Sequence, residues 1–566
     1  MGAIAAGVGT LPPQPRDPGR GTPAGEESGE RWWVRAAAWG TEASIATGPG
    51  TGVAAHGADA TGVLAAFTRG GTDEVATLDG DYTALITTDE HLIALRSWLG
   101  TRPLYLRAEP GDIEAATDAT VLRRPTDAID ERRIASFLIR DVRRDQETFW
   151  RPIRRVPPGT ALVVDRATGT VTESTFGRPD LWNTTADGEL GATLRDAVGR
   201  ALPPGAFATT LSGGLDSTSI TLLAAHVRPP LHAISAVFDA HPEADERRWI
   251  RRARAGAPIA GHHLVADGLP QLPMGLFPTD QEPVDAVHLG MHDRVFATAA
   301  DLGASVLLCG TGGDFAVSHG YARLTELTLG GRVDHALAEA AKLAANGYGG
   351  TTAALAAAWM VRPLVPEPLL AARRKLTGGD KVRQLPPWIR REFAEAHDLP
   401  ARLREAWEDW TRPARSARAD HIRQIEDPFH PYIAEVLHHL GARHGVEPRF
   451  PFLDRRVVTL CVGLPAADKL GGGHTRAALR TALTGLLPEA IRTRTSKANF
   501  SRVLHDGLRA QHRTVAEVLR EPDSLQPYVD VDALREACAA YLAGADAQWR
   551  AFWVAGTLGP FLAGQG

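Results

Sequence analysis

Cysteine is scarce. The 566 residues hold three, Cys309, Cys461 and Cys538, and none forms a CxxC pair. That excludes a disulfide framework and a zinc knuckle, and it fits a reducing, cytoplasmic setting. An excess of positive charge is also missing: 62 basic residues face 67 acidic ones, net −5. No surface for nucleic acid is implied. No apolar run reaches about 18 residues, so no membrane-spanning helix is expected. The start, Met1-Gly-Ala-Ile-Ala-Ala6, lacks the basic region and long apolar core of a secretion signal.

What is present is a globular composition, 44% hydrophobic, in a chain long enough for two to four domains. Residues 1–30 are rich in Gly, Pro and charge and read as a disordered tail. From Arg31 to about 180 short strands and turns alternate. Tyr82–Ile86 and His91–Leu95 flank the Asp89-Glu90 turn, and Val75–Leu78 runs into Asp79-Gly80, a β-meander. A second region spans 188–566. Strands are expected at Phe207–Leu211, Leu231–Phe238, His262–Val265 and Ser305–Leu308, with helices between them, including Arg247–Ala255 and His292–Ala300. Apolar strands alternating with helices predict an α/β fold with a parallel sheet and ligands at the strands' C-terminal ends. From about 320 to 425 the chain reads as Ala/Leu-rich helix, as in Val333–Leu343 and Thr352–Met360, broken by prolines.

Two glycine turns carry the chemistry. Leu211-Ser-Gly-Gly-Leu-Asp-Ser217 follows an apolar strand and opens a helix. Free backbone N–H groups and the helix dipole then converge on one spot, which suits phosphate. The hydroxyls of Ser212 and Ser217 add donors, and Asp216 makes sense there if Mg²⁺ lies between it and the phosphate. No Gly-Lys-Ser/Thr follows, so this is not a Walker A loop, and an ordinary strand–helix turn fits the spacing as well. Leu307-Leu-Cys-Gly-Thr-Gly-Gly-Asp314 repeats the pattern. Either turn alone is weak evidence. Two carboxylates, Asp216 and Asp314, at strand ends of one sheet can hold Mg²⁺ against a triphosphate.

Ser212-Gly-Gly-Leu-Asp-Ser217 resembles the pyrophosphate-binding loop of the asparagine synthetase family, and three further segments are collinear with it. Gly310-Thr-Gly-Gly-Asp314 resembles the family's second metal-binding turn. Glu447-Pro-Arg-Phe-Pro-Phe-Leu-Asp454 is similar to its Arg-x-Pro-Phe-Leu-Asp element. Arg494-Thr-Ser-Lys-Ala-Asn-Phe500 is similar to the segment with its catalytic lysine. The resemblance spans roughly 75–510. It implies a PP-loop synthetase domain that binds ATP through Leu211, Ser212, Gly213, Gly214, Asp216, Ser217, Gly310 and Gly312. Mg²⁺ would be held by Asp216 and Asp314, and Lys497 would be catalytic. The family packs adenine near the second strand, which makes Val237 a candidate contact, with a plain core valine as the alternative. Leu78–Tyr82, Gly100–Tyr105 and Val156–Gly159 resemble the N-terminal, Ntn-type glutamine amidotransferase domain of the same enzymes. That domain uses an N-terminal cysteine as nucleophile. Here the chain starts Met1-Gly2 and its first cysteine is Cys309, so a degenerate domain without glutaminase activity is expected.

Within this superfamily, β-lactam synthetases carry a tyrosine where Thr311 stands, and a threonine hydroxyl is a poor base. The missing cysteine, Thr311 and the helical insertion at 320–425 make the chain resemble lasso peptide cyclases. That resemblance implies adenylation of an Asp or Glu side chain in a leader-free precursor peptide, then macrolactam closure by its N-terminal amine. A leader peptidase and a leader-recognition protein would be partners. Thr311 joins Lys497 among the catalytic candidates. Tyr432, Glu435 and Glu447, or His319, are candidates for the base, with structural roles as the alternative for each.

Overall fold

The computed structural model describes residues 4–8, 23–28, 32–37, 43–141, 146–277, 281–377, 384–411 and 414–565. The N-terminal half is a sandwich of two six-stranded sheets. One contains β1 (Ile4–Val8), β2 (Pro23–Ser28), β3 (Trp32–Ala37), β8 (Tyr105–Glu109), β9 (Asp112–Ala116) and β10 (Ile153–Arg155), in the order β10-β8-β9-β1-β3-β2. The other runs β12-β11-β7-β6-β5-β4. Its strands are β4 (Ala43–Gly48), β5 (Thr51–His56), β6 (Thr83–Thr88), β7 (His91–Arg96), β11 (Thr160–Asp165) and β12 (Val171–Thr175). All pairings are antiparallel. The period-2 alternation drives this: Leu85, Leu92, Leu106, Ile113 and Leu162 point into one fully buried layer between the sheets.

Two expectations need correction here. Strands β1 and β2 lie inside the stretch read as a disordered tail. Ile4 and Ala6 are buried, and β1 sits between β3 and β9, with backbone partners on both sides. Five residues flanked by Gly and Pro give little compositional signal, and the sheet supplies their order. The meander is also not purely β. Ala60–Val75 is helical, capped by Asp59, whose carboxylate accepts from Thr61 and Gly62 N–H. Such a cap contributes about 1 kcal/mol. Its Ala60, Val63, Ala66 and Phe67 face cover the outer side of the second sheet. Val75 ends this helix; it does not begin a strand.

The C-terminal half is built on a five-stranded sheet in the order β15-β14-β13-β16-β17, all parallel. The strands are β13 (Phe207–Thr210), β14 (Leu231–Val237), β15 (Ile259–Val265), β16 (Val306–Leu308) and β17 (Glu447–Arg449). Four lie where the apolar runs predict them; β15 begins three residues before the expected His262. The chain moves outward from β13 through β14 to β15, then crosses to β16 and β17. The reversal falls between β13 and β16, and a crevice opens there at the strands' C-terminal ends. Residues 320–425 are largely helical, as expected. Arg323–Leu329, Val333–Ala345 and Thr352–Ala356 enclose a small core of Leu324, Ala336, Ala340, Leu343, Leu355 and Met360.

The two halves meet through buried ion pairs. Arg102 Nη1 lies 2.6 Å from Glu447 Oε1, and Arg155 Nε donates to Glu435 at 3.0 Å while its other nitrogens reach Glu282 and the Glu147 carbonyl. Tyr105 donates its hydroxyl to Glu435 at 2.6 Å. No helix among the described residues is long and apolar enough to cross a membrane.

Candidate active site

The crevice at the β13/β16 reversal gathers the two glycine turns. After β13, Leu211 is buried, its N–H donating to Ile234 and its carbonyl accepting from Ser235. Ser212 N–H donates to Ser217 Oγ at 3.0 Å, and the two hydroxyls lie 2.8 Å apart. This ties the loop into a ring that opens the helix Leu215–Val227 at Gly214. Gly213 has φ +74°, and a Cβ there would lie 2.6 Å from Trp249, so only glycine closes this turn. The helix N-terminus therefore presents unshared N–H groups to the crevice, beside two hydroxyls.

The second turn packs against the first. A Cβ on Gly310 would sit 2.5 Å from Ser217 N, and one on Gly313 would sit 2.6 Å from the Asp216 carboxyl carbon. Small residues at 310 and 313 thus let Asp216 and Asp314 share one site. Thr311 is half-buried in this turn.

Arg476 joins the two acids. Its Nη1 lies 2.6 Å from both Asp216 oxygens and 2.8 Å from Asp314 Oδ1. Lys497 Nζ reaches Asp314 Oδ2 at 3.2 Å. Burial raises the Asp216 carboxyl above the usual range, helped by the charge of Asp314 and opposed by Arg476. At Asp314 burial acts the same way, but Arg476 and Lys497 outweigh it and hold that carboxyl low. The pair is thus a place that selects cations, and a guanidinium already stands between the carboxylates. The two carboxylates are of the type that could hold Mg²⁺ beside a phosphate. His319 Nε2 stands 3.8 Å from Asp314 Oδ1, and burial pushes its imidazole down to about 4. It is neutral at neutral pH.

Three of the expected base candidates are elsewhere. Glu435 is held by Arg155 and Tyr105, and Glu447 by Arg102 and Arg449, all in the buried layer between the halves. Glu447 begins β17, whereas the crevice lies at the strand's other end. Tyr432 is half-buried, its hydroxyl accepting from Asp285 N–H at 2.7 Å and pushed up to about 12 by burial. Val237 is fully buried, as a core valine would be.

The sequence reading passed over two residues. Arg476 precedes the helix Ala477–Ala482 with a left-handed backbone (φ +54°), and its side chain reaches Asp216 and Asp314. Arg494 donates to the Gly213 carbonyl at 2.9 Å and to Glu246 at 2.6 Å, and its guanidinium lies 4.4 Å from the Trp249 ring centre. It therefore braces the phosphate loop from behind. The one available signal was the clustering of basic residues from 476 to 497; pairing them with acids more than 160 positions away requires the fold.

The position of Lys497 depends on the following helix, Ser501–Ala510. His241, after β14, bridges Asp267 at 2.9 Å and Asp506 of that helix at 3.1 Å. Asp267 raises the His241 pKa, against burial and with help from Asp506. Arg502 and Arg509 also approach Asp506. A raised histidine pKa stabilises the fold below the ordinary value of 6.5, and the effect fades as pH rises through the raised value. His241→Gln should therefore lower Tm by about 2 °C near pH 6 and by less near pH 9, read by thermal unfolding.

Comparison with known proteins places this architecture. The asparagine synthase family model matches residues 189–562, and the glutamine amidotransferase domain model matches 53–176. The chain belongs to the asparagine synthase family. Members of that family are ATP-dependent amide-forming ligases. A protein assigned as a glutamine-hydrolyzing asparagine synthetase in Mycobacterium bovis is 24% identical over 480 residues, 80% of this chain and 71% of that one. Carboxyethyl-arginine beta-lactam-synthase of Streptomyces clavuligerus is 27% identical over 179 residues, 31% of this chain; the match spans 33% of that enzyme's length. Among solved structures, an allosteric regulatory enzyme of purine biosynthesis overlaps 50% of this chain and 76% of its own, at 12% identity and a TM-score of 0.19.

Proposed function

We propose that this member of the asparagine synthase family is a lasso peptide cyclase. It activates an Asp or Glu side chain of a leader-free precursor peptide with ATP and closes a macrolactam with the peptide's N-terminal amine. The observation that carries the reading is a complete ATP-type crevice joined to an amidotransferase-like half without a nucleophile. Residues 1–308 contain no cysteine. Cys309 is buried, and burial pushes its thiol up to about 12. The Arg102–Glu447 and Arg155–Glu435 pairs cross the layer between the halves. The attacking amine is then best supplied by the acylated substrate itself.

The chemistry runs in two steps. A carboxylate oxygen of the peptide attacks the α-phosphorus of ATP, the bond to the β-phosphate oxygen breaks, and pyrophosphate leaves. The peptide amine then attacks the acyl carbon, the acyl–oxygen bond breaks, and AMP leaves with the electron pair while the nitrogen gives up a proton. The Ser212–Ser217 loop binds pyrophosphate oxygens through N–H groups and hydroxyls. Lys497 stabilises charge near the α-phosphate. Mg²⁺, held by Asp216 and Asp314, would offset the charge of the leaving pyrophosphate. Of the base candidates, His319 is the one beside these residues, 3.8 Å from Asp314. Holding amine and acyl-AMP together removes much of the entropic barrier to ring closure. A leader peptidase and a leader-recognition protein would supply the trimmed peptide.

The test mixes the protein with ATP, Mg²⁺ and synthetic leader-free peptides that carry a free N-terminal amine and an internal Asp or Glu. Loss of one water from the peptide, seen by mass spectrometry with AMP release, is the expected result. Asparagine formed from free aspartate and ammonia would refute the cyclase reading, and no AMP release with any peptide would refute adenylation. A second reading is amide closure within a small substrate, favoured by the similarity to the beta-lactam-synthase. It predicts AMP release with small amino-acid-derived diacids and none with peptide.

A further inference from the structure

Two irregular pieces of backbone align three aromatic rings beside Asp314. Ser318 is fully buried, yet its backbone is left-handed at φ +63°, and Gly320 follows at +73°. A non-glycine residue held this way is strained and persists only where its surroundings enforce it. The Ser318 hydroxyl accepts from Gly320 N–H at 3.2 Å, which locks the turn. The result brings the His319 and Tyr321 rings 5.8 Å apart and within 22° of parallel. The third ring comes from the insertion. Trp359 lies 5.4 Å from Tyr321, within 18° of parallel. It sits in a single π-turn, Ala357–Val361, whose Trp359 carbonyl accepts from Thr325 at 2.6 Å. Such turns widen a helix and re-aim its side chains.

All three rings are half-buried. Beyond Trp359 in the chain, Val361 is 57% exposed and Leu364 42% exposed. One end of the row touches the carboxylate–cation cluster through His319 and Asp314; the other opens to solvent. Two ring steps of this size match about three residues of extended chain at 3.3 Å each. A free amino acid reacting at the crevice would end within the first step. The row therefore has more length than a small substrate can use.

We propose that His319, Tyr321 and Trp359, with Val361 and Leu364 beyond them, form the wall that binds the substrate peptide next to its reacting carboxylate, favouring an uncharged segment with apolar or aromatic side chains. This rests on the peptide-cyclising reading above. Stacked on one another, the rings lose little rotamer entropy on contact, so their exposed edges grip such a segment without hydrogen-bond matching.

The test uses the protein, ATP, Mg²⁺ and a synthetic leader-free peptide with a free N-terminal amine, an internal Asp or Glu, and apolar residues next to it. Trp359→Ala should raise the peptide KM about tenfold or more while the KM for ATP stays within about twofold, and Trp359→Phe should recover most of the loss. Trp359 borders the insertion's small core, so Val361→Ser and Leu364→Ser serve as variants at exposed positions, with a smaller rise in peptide KM expected. Peptide KM values unchanged in Trp359→Ala and in both serine variants, with the wild type still cyclising, would overturn this inference alone. If the Trp359 variants fail to fold, the serine variants decide in the same way. A wild type that cyclises no peptide would overturn the cyclase reading and this wall with it.

Discussion

Replacing Lys497 by alanine is expected to slow AMP release by two to three orders of magnitude, roughly 3–4 kcal/mol of barrier, while leaving the protein as stable as before. The reasoning separates the two quantities. Lys497 Nζ is 3.2 Å from Asp314, but its side chain is 64% exposed, and an ion pair in that setting contributes little to folding. In the proposed mechanism its value would lie in placing a compact positive charge where the α-phosphate gains negative charge. Single-turnover AMP release and thermal unfolding, measured side by side, check both halves. Lys497→Arg should retain part of the rate, since the charge remains while its shape changes. A rate within about threefold of wild type for Lys497→Ala would remove Lys497 from the mechanism.

Replacing Glu447 by glutamine should do the opposite. Glu447 has no exposed surface and sits 2.6 Å from Arg102, which is itself 6% exposed, with Arg449 at 3.3 Å. Burial alone would raise its carboxyl, but Arg102, His56 and Arg449 hold it far below the usual range. Removing the charge leaves two guanidinium groups buried without their shared partner, a loss of about 3–5 kcal/mol. Denaturant unfolding should show that loss, and limited proteolysis should cut between the halves earlier than in wild type. Residual folded enzyme should keep most of its rate per active molecule. If Glu447 were the base for amine attack, the pattern would reverse, with intact stability and a lost rate.

Much of the architecture was legible along the chain because its signals are local. An apolar run such as Phe207–Leu211 followed by Ser-Gly-Gly and a helix states strand, turn and helix within about 20 residues. The same holds for Leu307–Asp314. Four collinear segments pointed to the asparagine synthase family before any contact was known. The first strand escaped notice because Ile4–Val8 gains its order from β3 and β9. The helix Ala60–Val75 was missed because alanine and glycine carry weak periodicity, and its interruption at Gly70-Gly71 blurs that further.

Three of the four base candidates were misplaced for one physical reason. Tyr432, Glu435 and Glu447 precede the Pro-Phe-Leu-Asp element in sequence, but a parallel sheet separates the two ends of β17, and the interdomain arginines claim both acids. Proximity along the chain is no guide across a sheet. Local pattern was enough for the strand–turn–helix units, the phosphate loop, the two acids and the candidate lysine. Which residues meet was decided only by folding: Arg476 between Asp216 and Asp314, Arg494 behind Gly213, and Trp359 beside Tyr321. Each of those contacts joins residues tens to hundreds of positions apart, and packing, which sets such distances, leaves no mark on the sequence between them.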